Sequence, residues 1–151
     1  MPQLLLHLFG PPRLELDGRP VDISRRNVLA LAAYLAVTRR SHSREALAAM
    51  FWPEYDASKA RAALRRTLSA LNTALDGDWL DADRETIGFD SERDIWVDVL
   101  QFEQCLDQAR NGAGALAKLA EAVALYRDDF LAGFTLRDSP GFDEWQFFQS
   151  E

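Results

Sequence analysis

Basic and polar side chains collect on one side of the stretch between Asp56 and Gly77. At helical spacing, this side carries Lys59, Arg65, Arg66, Ser69, Asn72 and Thr73. Arginine and lysine neutralise phosphate charges, while arginine, serine and asparagine also form hydrogen bonds with base edges. These residue types favour nucleic acid as a ligand, although the solvated face of an ordinary amphipathic helix has the same composition.

An apolar stripe on the opposite side predicts how this helix is held. The stripe has the spacing i, i+4, i+8, i+11, i+15 and consists of Ala60, Leu64, Leu68, Leu71 and Leu75. Asp56 or Ser58 can accept hydrogen bonds from the free N–H groups at the start, and Gly77 can adopt the left-handed conformation that ends a helix. The sequence therefore predicts a helix over residues 57–75 that turns its arginines away from a core.

The first 23 residues predict a small antiparallel sheet. Gln3–Phe9 and Arg13–Leu16 alternate in hydrophobicity, and Gly10-Pro11-Pro12 separates them. Asp17-Gly18 is a hairpin signal, so Pro20-Val21-Asp22-Ile23 is expected to form a third short strand.

Two further helices are predicted between this sheet and residue 57. Ser24 is a suitable N-cap for the first, which runs to about Thr38 with the apolar face Val28, Leu29, Ala32, Leu35 and Ala36. A polar link, Arg39-Arg40-Ser41-His42, leads to the second. Ser43 caps the second helix and Trp52-Pro53 ends it, with the apolar face Ala46, Leu47, Met50 and Phe51.

Arg25 and Arg26 fall in the first turn of the first of these helices. The helix dipole disfavours cations at that position, so an anion such as a phosphate would stabilise both side chains. Two solvated arginines explain the sequence equally well, because the dipole penalty is small.

Residues 79–89 predict a hairpin. Trp79–Asp83 and Thr86–Phe89 suit two short strands, with Arg84 at the tip of the turn between them. Arg84 is positioned to contact a phosphate or the minor groove, but the adjacent Asp83 and Glu85 work against that contact.

This order of elements predicts a winged helix-turn-helix, an α+β fold. In that arrangement the second helix crosses the phosphate backbone, and the third lies in the major groove at a depth fixed by the packing behind it. The candidate DNA-binding residues are Arg25, Arg26, Arg44, Lys59, Arg61, Arg65, Arg66, Ser69, Asn72, Thr73 and Arg84.

The chain beyond residue 97 predicts a helical hairpin. The first helix has the apolar positions Val99, Leu100, Phe102, Cys105, Leu106 and Ala109 and ends at Asn111-Gly112. The second begins with Leu116, Leu119, Ala120, Val123 and Leu125. Six aromatic residues follow: Phe130, Phe134, Phe142, Trp145, Phe147 and Phe148. We expect them to be covered by later helices of a longer protein or by a second copy of the chain; core packing within the hairpin is the alternative.

The charge distribution divides the chain into a basic half and an acidic half. Residues 1–75 contain 11 lysines and arginines and 6 acidic residues, a net charge of +5, whereas residues 76–151 contain 6 and 18, a net charge of −12. Because local charge attracts a polyanion, the overall charge of −7 does not exclude nucleic acid. The 48% apolar content and the lack of a long apolar run indicate a cytoplasmic protein with no membrane segment.

Residues that could support catalysis or metal binding are few. His7 and His42 lack the spacing of a ligand pair, and the single Cys105 forms no cysteine cluster. Ser41 and Ser43 flank His42, but no third group orients them, and the alternating Asp81, Asp83 and Asp90 suit a solvated hairpin. We expect no metal, no cofactor and no enzymatic activity.

Two long runs of the sequence resemble a known family. They are SRRNVLALAAYLAVTRRSHSREALAAMFWPEYDASKARAALRRTLSALNTAL with WLDADRETIGF, and ALAKLAEAVALYRDDFLAGF with SPGFDEW. The first run resembles the N-terminal winged-helix domain of the Streptomyces antibiotic regulatory protein family, a class also found in response regulators. The second, with Ile95–Asp98 before it, resembles the bacterial transcriptional activation domain that follows in those proteins.

The resemblance implies a DNA-binding activator of transcription with two domains. Residues 1–94 would form the DNA-binding domain and residues 95–151 the first part of a helical, tetratricopeptide-like activation domain. Implied partners are double-stranded DNA, RNA polymerase, a second copy of the chain and further C-terminal domains. The recognition helix would match Arg61–Leu75, with Arg65, Arg66 and Ser69 as its principal contacts.

The resemblance is incomplete on the recognition helix. Relatives often carry arginine or lysine at the positions of Ala70, Asn72 and Thr73, so fewer phosphate contacts are expected and binding by a monomer should be weak. The alternative is a protein-interaction module whose winged helix has lost DNA binding.

Overall fold

Strands and helices are mixed up to residue 97, and the elements described beyond it are three helices. The computed structural model describes residues 3–76, 79–110, 112, 114–126, 129–134, 136 and 139–150. The elements in these ranges are β1 (Gln3–His7), β2 (Arg13–Leu16), β3 (Arg19–Pro20), α1 (Arg26–Thr38), β4 (His42–Ser43), α2 (Arg44–Phe51), α3 (Ala57–Leu75), β5 (Leu80–Ala82), β6 (Thr86–Phe89), β7 (Asp94–Val97), α4 (Asp98–Arg110), α5 (Ala115–Leu125) and α6 (Pro140–Ser150). Among the described helices, none combines the length and apolarity needed to traverse a bilayer.

The first sheet has the strand order β3-β2-β1-β7. β1 and β2 are antiparallel as predicted, but β7 adds a parallel strand beside β1 that the sequence did not predict. The third strand is Arg19–Pro20, so the prediction of residues 20–23 was wrong. Asp17 and Gly18 both have positive φ, and this two-residue turn pairs Leu16 directly with Arg19.

The second sheet has the order β4-β6-β5 and contains the predicted hairpin. Its third strand, β4, comes from residues predicted to be a polar link. His42 in β4 pairs with Ile87 in β6 and is buried, at 8% exposure. The link therefore joins the start of α2 to the hairpin. We call this hairpin, residues 80–89, the wing.

The start of α1 differs from the prediction. The Leu29 N–H bonds to the Arg25 carbonyl, which makes Arg25 the N-cap, and no side chain caps this end. Ser24 lies one residue too early to cap the helix, so that prediction was wrong. The buried face is wider than predicted, because small residues allow close packing: Val28, Ala30, Leu31, Ala32, Ala33, Leu35 and Ala36.

The helices α2 and α3 begin at the predicted caps. Ser43 accepts a hydrogen bond from the Ala46 N–H, and Asp56 accepts one from the Lys59 N–H. In α2 the buried residues are Leu47, Ala48 and Phe51, whereas the predicted Ala46 is exposed. The left-handed residue that ends α3 is Asp76, and Gly77 lies outside the described residues.

The C-terminal elements divide between a helical hairpin and the core of the winged helix. α4 and α5 form the predicted hairpin, but α5 buries only Ala122 among its described residues and leaves Leu116, Leu119 and Val123 exposed. The following segment returns to the first sheet, where the Leu131 N–H donates to the Leu8 carbonyl. The predicted division between residues 94 and 95 falls inside β7 and stays a prediction.

α6 packs against α2. The ring centroids of Phe142 and Phe51 are 5.6 Å apart, and the Ser139 hydroxyl donates to the Phe51 carbonyl over 2.7 Å. Phe130, Phe134 and Phe142 are buried in the same core as α1–α3 and the first sheet. The expected packing within the α4–α5 hairpin was therefore wrong for these three. Phe147 and Phe148 remain 64% and 74% exposed.

A buried carboxylate joins α4 to the first sheet. Asp98, at 4% exposure, accepts hydrogen bonds from the backbone N–H groups of Leu8, Phe9 and Val99 at 2.7–3.1 Å. The bonds hold the end of β1 against the first turn of α4. Since hydrogen bonds to a charged acceptor are the stronger kind, this group stabilises the joint.

We expect Asp98→Ala to lower the free energy of unfolding by about 3 kcal/mol, because it leaves buried N–H groups without an acceptor. Chemical denaturation at neutral pH measures the change. Asp107→Ala is the control, because Asp107 is exposed and pairs only with exposed Arg110 among the described residues; its effect should stay below about 0.5 kcal/mol.

His42 makes the stability depend on pH. Burial, and then the nearby charge of Arg40, lower the pKa of His42 from 6.5. Between the lowered pKa and pH 6.5, the folded chain therefore binds fewer protons than the unfolded chain. This contribution to stability is complete above pH 6.5 and is lost as the pH falls toward the lowered pKa.

We expect the wild-type chain to lose more stability than His42→Gln between neutral pH and about pH 5, since the glutamine does not titrate. Denaturation at a series of pH values gives the two slopes. Equal slopes for wild type and His42→Gln would contradict the assignment.

Candidate nucleic-acid interface

α3 presents its polar side to solvent because its apolar side is fixed in the core. All five residues of the predicted stripe are buried, at 0–6% exposure: Ala60, Leu64, Leu68, Leu71 and Leu75. The predicted polar residues are all exposed: Lys59, Arg61, Arg65, Arg66, Ser69, Asn72 and Thr73. Rotation of α3 about its axis would bury charged groups, so packing sets which side chains face outward.

The described residues of the acidic half form no ion pair with these arginines. Between described residues, no carboxylate forms an ion pair with Arg61, Arg65 or Arg66. Their positive charge is therefore available to an external anion.

A groove of about 640 Å³ runs between α3, the start of α2 and the turn of the wing. It is lined by Ser43, Arg44, Glu45, Ser58, Arg61, Leu64, Arg65, Arg84, Glu85 and Thr86. The lining contains four arginines and two glutamates, so its net charge is +2. Three hydroxyl groups add neutral hydrogen-bonding groups, so the lining is suited to an anionic ligand with several oxygen atoms.

The turn of the wing is closed by the Asp83 carboxylate. Asp83 Oδ1 accepts hydrogen bonds from the N–H groups of Thr86 and Glu85 at 2.7 and 2.8 Å. These bonds, with a weaker one from the Thr86 hydroxyl and the charge of Arg44, lower the pKa of Asp83 despite some opposing desolvation. Asp83 is therefore engaged with the turn backbone, and Arg84 is exposed at the tip.

Arg44 connects α2 to this turn. Its Nε donates to the Asp83 carbonyl over 2.7 Å, and its backbone N–H donates to the Glu85 carbonyl over 2.8 Å. Arg44 is half-buried and still lines the groove. The structure thus places Arg44, a predicted DNA-binding residue, where the start of α2 meets the turn of the wing.

Five other predicted residues lie apart from the groove lining. Arg25 is exposed at the N-cap of α1, and the Arg26 guanidinium carbon lies 5.7 Å from the centre of the Phe134 ring. Neither lines the groove. Ser69, Asn72 and Thr73 lie farther along α3, on its exposed side.

Lys59 and Arg66 also lie outside the groove lining. The Lys59 Nζ is 4.2 Å from the centre of the Tyr55 ring, a cation–π contact that holds the side chain at the start of α3. Arg66 is exposed next to Arg65, so it extends the basic surface beyond the groove.

Several groove residues were not identified from the sequence. The sequence predicted Ser43 and Ser58 as helix caps and not as groove residues, and it gave no binding role to Thr86, Glu45 or Glu85. Their proximity results from the pairing of β4 with β6, which is only two residues long and has no clear sequence signal. Among described residues, no cluster of three or more His, Cys, Asp or Glu could hold a metal ion.

The structure is similar to that of EmbR from Mycobacterium tuberculosis, solved in complex with a low-affinity phosphopeptide. The similarity covers 98% of this chain with a TM-score of 0.77 and 22% sequence identity. The chain shares its winged-helix fold with EmbR. No family model and no curated protein matches the sequence.

The similarity to EmbR confirms the predicted α+β winged-helix class and, at this identity, shows the fold alone. The chain spans 42% of the EmbR chain. The tetratricopeptide-like character of residues 95–151 stays a prediction, as do the DNA-binding residues.

Asp83→Ala should loosen the wing, because the N–H groups of Glu85 and Thr86 lose their shared acceptor. Amide hydrogen exchange followed by NMR should show faster exchange at both positions while α3 remains protected. Asp81→Ala, a substitution of an exposed carboxylate on β5, should leave both rates unchanged. Unchanged rates in Asp83→Ala would show that the turn does not depend on this carboxylate.

Proposed function

We propose that this protein is a transcriptional regulator that binds double-stranded DNA. The observation that carries the proposal is the groove with four arginines, which lies beside the exposed polar side of α3. A winged helix that binds DNA needs both surfaces, one for the bases and one for the backbone. The fold shared with EmbR supports the same function.

The two surfaces would contact different parts of the DNA. Arg61, Arg65 and Arg84 line the groove, where a phosphate backbone that passes between α3 and the wing would meet them. Arg66 and Ser69 lie on the exposed side of α3, which would face base edges in the major groove. Asn72 and Thr73 would add polar contacts toward the end of the helix.

The finer features of the proposal follow the family resemblance. We propose an activator of the Streptomyces antibiotic regulatory protein type that acts in the cytoplasm, with RNA polymerase, a second copy of the chain and further C-terminal domains as partners. A phosphopeptide partner is not included, because this chain spans only 42% of EmbR.

We also propose that the protein is not an enzyme and needs no cofactor. The histidine that two serines flank in the sequence, His42, is buried, and its Nε2 lies 2.7 Å from the Thr38 hydroxyl. The Thr38 hydroxyl donates to the Tyr34 carbonyl, so His42 serves as the donor toward Thr38. This arrangement supports a structural role for His42.

The second candidate is a protein-interaction module without DNA binding. The apolar side of α5 favours it, because Leu116 is 85% and Val123 71% exposed. The lack of charge at Ala70, Asn72 and Thr73 on α3 also favours the interaction module.

A salt titration of binding to mixed-sequence duplex DNA separates the two candidates. The regulator should bind at low ionic strength and lose affinity as salt rises, with a slope set by the number of neutralised phosphates. An absence of affinity at low salt would leave only the interaction module.

Arg66→Ala should weaken binding to a selected operator by about 1–3 kcal/mol if the side chain reads a base. Arg65→Ala should weaken operator and mixed DNA alike and reduce the salt slope by about 1, because Arg65 lies in the groove. Fluorescence anisotropy at several salt concentrations measures both effects.

Arg19→Ala is the matched control, since Arg19 is exposed on β3 in the first sheet. It removes one positive charge but should change neither the affinity nor the slope beyond experimental error. Equal losses in all three variants would indicate a general charge effect and would count against contacts made by α3.

A further inference from the structure

We propose that Arg44 is a positioning residue, which holds the wing so that Arg84 at its tip faces the same phosphate backbone as α3. This inference rests on the proposed function. It concerns two hydrogen bonds from one residue, both made to carbonyl groups of the wing turn.

The first step is the attachment of the turn to α2. The Arg44 backbone N–H continues the β4–β6 pairing by bonding to the Glu85 carbonyl, and its Nε reaches the Asp83 carbonyl. The two bonds hold the turn at two points, so it cannot pivot about either bond alone. α2 in turn packs against α3, which fixes the wing relative to the polar side of α3.

The second step is the rigidity of the turn itself. The Asp83 N–H bonds to the Thr86 carbonyl, and the Asp83 carboxylate accepts hydrogen bonds from the N–H groups of Glu85 and Thr86. Both neighbours of Arg84, Asp83 and Glu85, are therefore held by hydrogen bonds, so the turn fixes the conformation of the Arg84 backbone. Because Arg44 holds the turn, it also fixes the position of the Arg84 backbone from which the side chain extends.

The third step concerns the remaining donors of Arg44. A guanidinium group has five N–H donors in a planar fork, and the bond to Asp83 uses the one on Nε. Arg44 lines the groove together with Arg61, Arg65 and Arg84, so a phosphate bound there would meet the outer donors of the same group. Phosphate binding and wing position are then coupled through one side chain.

A purely independent contact by Arg44 predicts a different energetic pattern. If Arg44 only neutralises a phosphate, removing it and removing Arg84 should reduce DNA affinity by factors that multiply. If Arg44 positions Arg84, removal of Arg84 costs much less once Arg44 is absent.

A double-mutant cycle on the whole chain tests this difference. Binding to mixed duplex DNA at low salt is measured for wild type, Arg44→Ala, Arg84→Ala and the double variant. We expect Arg84→Ala to reduce affinity about fivefold in the wild-type background and less than about twofold in the Arg44→Ala background. The salt slope should fall with Arg44→Ala and then stay nearly constant when Arg84 is also replaced.

Arg61 supplies the matched control cycle. It lines the same groove but lies on α3, whereas the side chain of Arg44 bonds to the Asp83 carbonyl in the wing. The losses for Arg44→Ala and Arg61→Ala should multiply within about twofold. Equal coupling of Arg44 to Arg61 and to Arg84 would overturn the positioning role, because it would indicate a general electrostatic effect.

Hydrogen exchange without DNA gives an independent measurement. Arg44→Ala should speed exchange at the Glu85 and Thr86 amides, whereas Arg84→Ala should not. Arg44→Lys keeps the charge without the planar fork, so it should restore part of the salt slope but not the exchange protection. If Arg44→Ala does not fold, Arg44→Lys is used for both the salt titration and the exchange measurement.

The outcomes separate this inference from the function on which it rests. Affinity losses that multiply for Arg44 and Arg84, in a chain that binds DNA, would overturn the role of Arg44 alone. A wild-type chain without affinity for DNA at low salt would instead overturn the proposed function. Loss of exchange protection together with strong Arg44–Arg84 coupling would support the inference.

Discussion

The burial of the leucine stripe on α3 is the constraint on which the rest of the structure depends. With Leu71 and Leu75 fully buried, the helix has one permitted rotation, and this rotation determines that Arg65 and Arg66 face solvent. Each buried leucine contributes roughly 2 kcal/mol through the hydrophobic effect, which is more than any single surface ion pair could offset. The charged surface is therefore a consequence of apolar packing.

The wing depends on the same core through a different set of interactions. β4 joins the end of α1 to β6, and Ile87, fully buried, anchors the hairpin from inside. Polar contacts then define the outer end, where Asp83 and Arg44 hold the turn. Apolar burial thus decides where the hairpin emerges, and hydrogen bonds decide the direction of its tip.

The parts of the fold that follow from local sequence patterns were predictable. The helix over 57–75, the caps at Ser43 and Asp56 and the wing strands depend on periodicity and on side chains close in sequence. β7 and the packing of Phe142 on Phe51 depend on contacts between residues far apart in the chain, for which no local pattern exists. The arginines of the candidate site were predictable by type, but the groove that gathers Arg44, Arg61 and Arg84 required the β4–β6 pairing.

The joint at the end of β1 bears on how the chain could be divided. The Leu8 N–H donates to the Asp98 carboxylate, and the Leu8 carbonyl accepts from the Leu131 N–H, so segments 90 or more residues later complete the first sheet. A fragment truncated after residue 94 would lose most of β7, Asp98 and the aromatic cover from Phe142, and would expose apolar surface to proteases and self-association. The contacts that complete the winged helix therefore extend along the chain as far as α6.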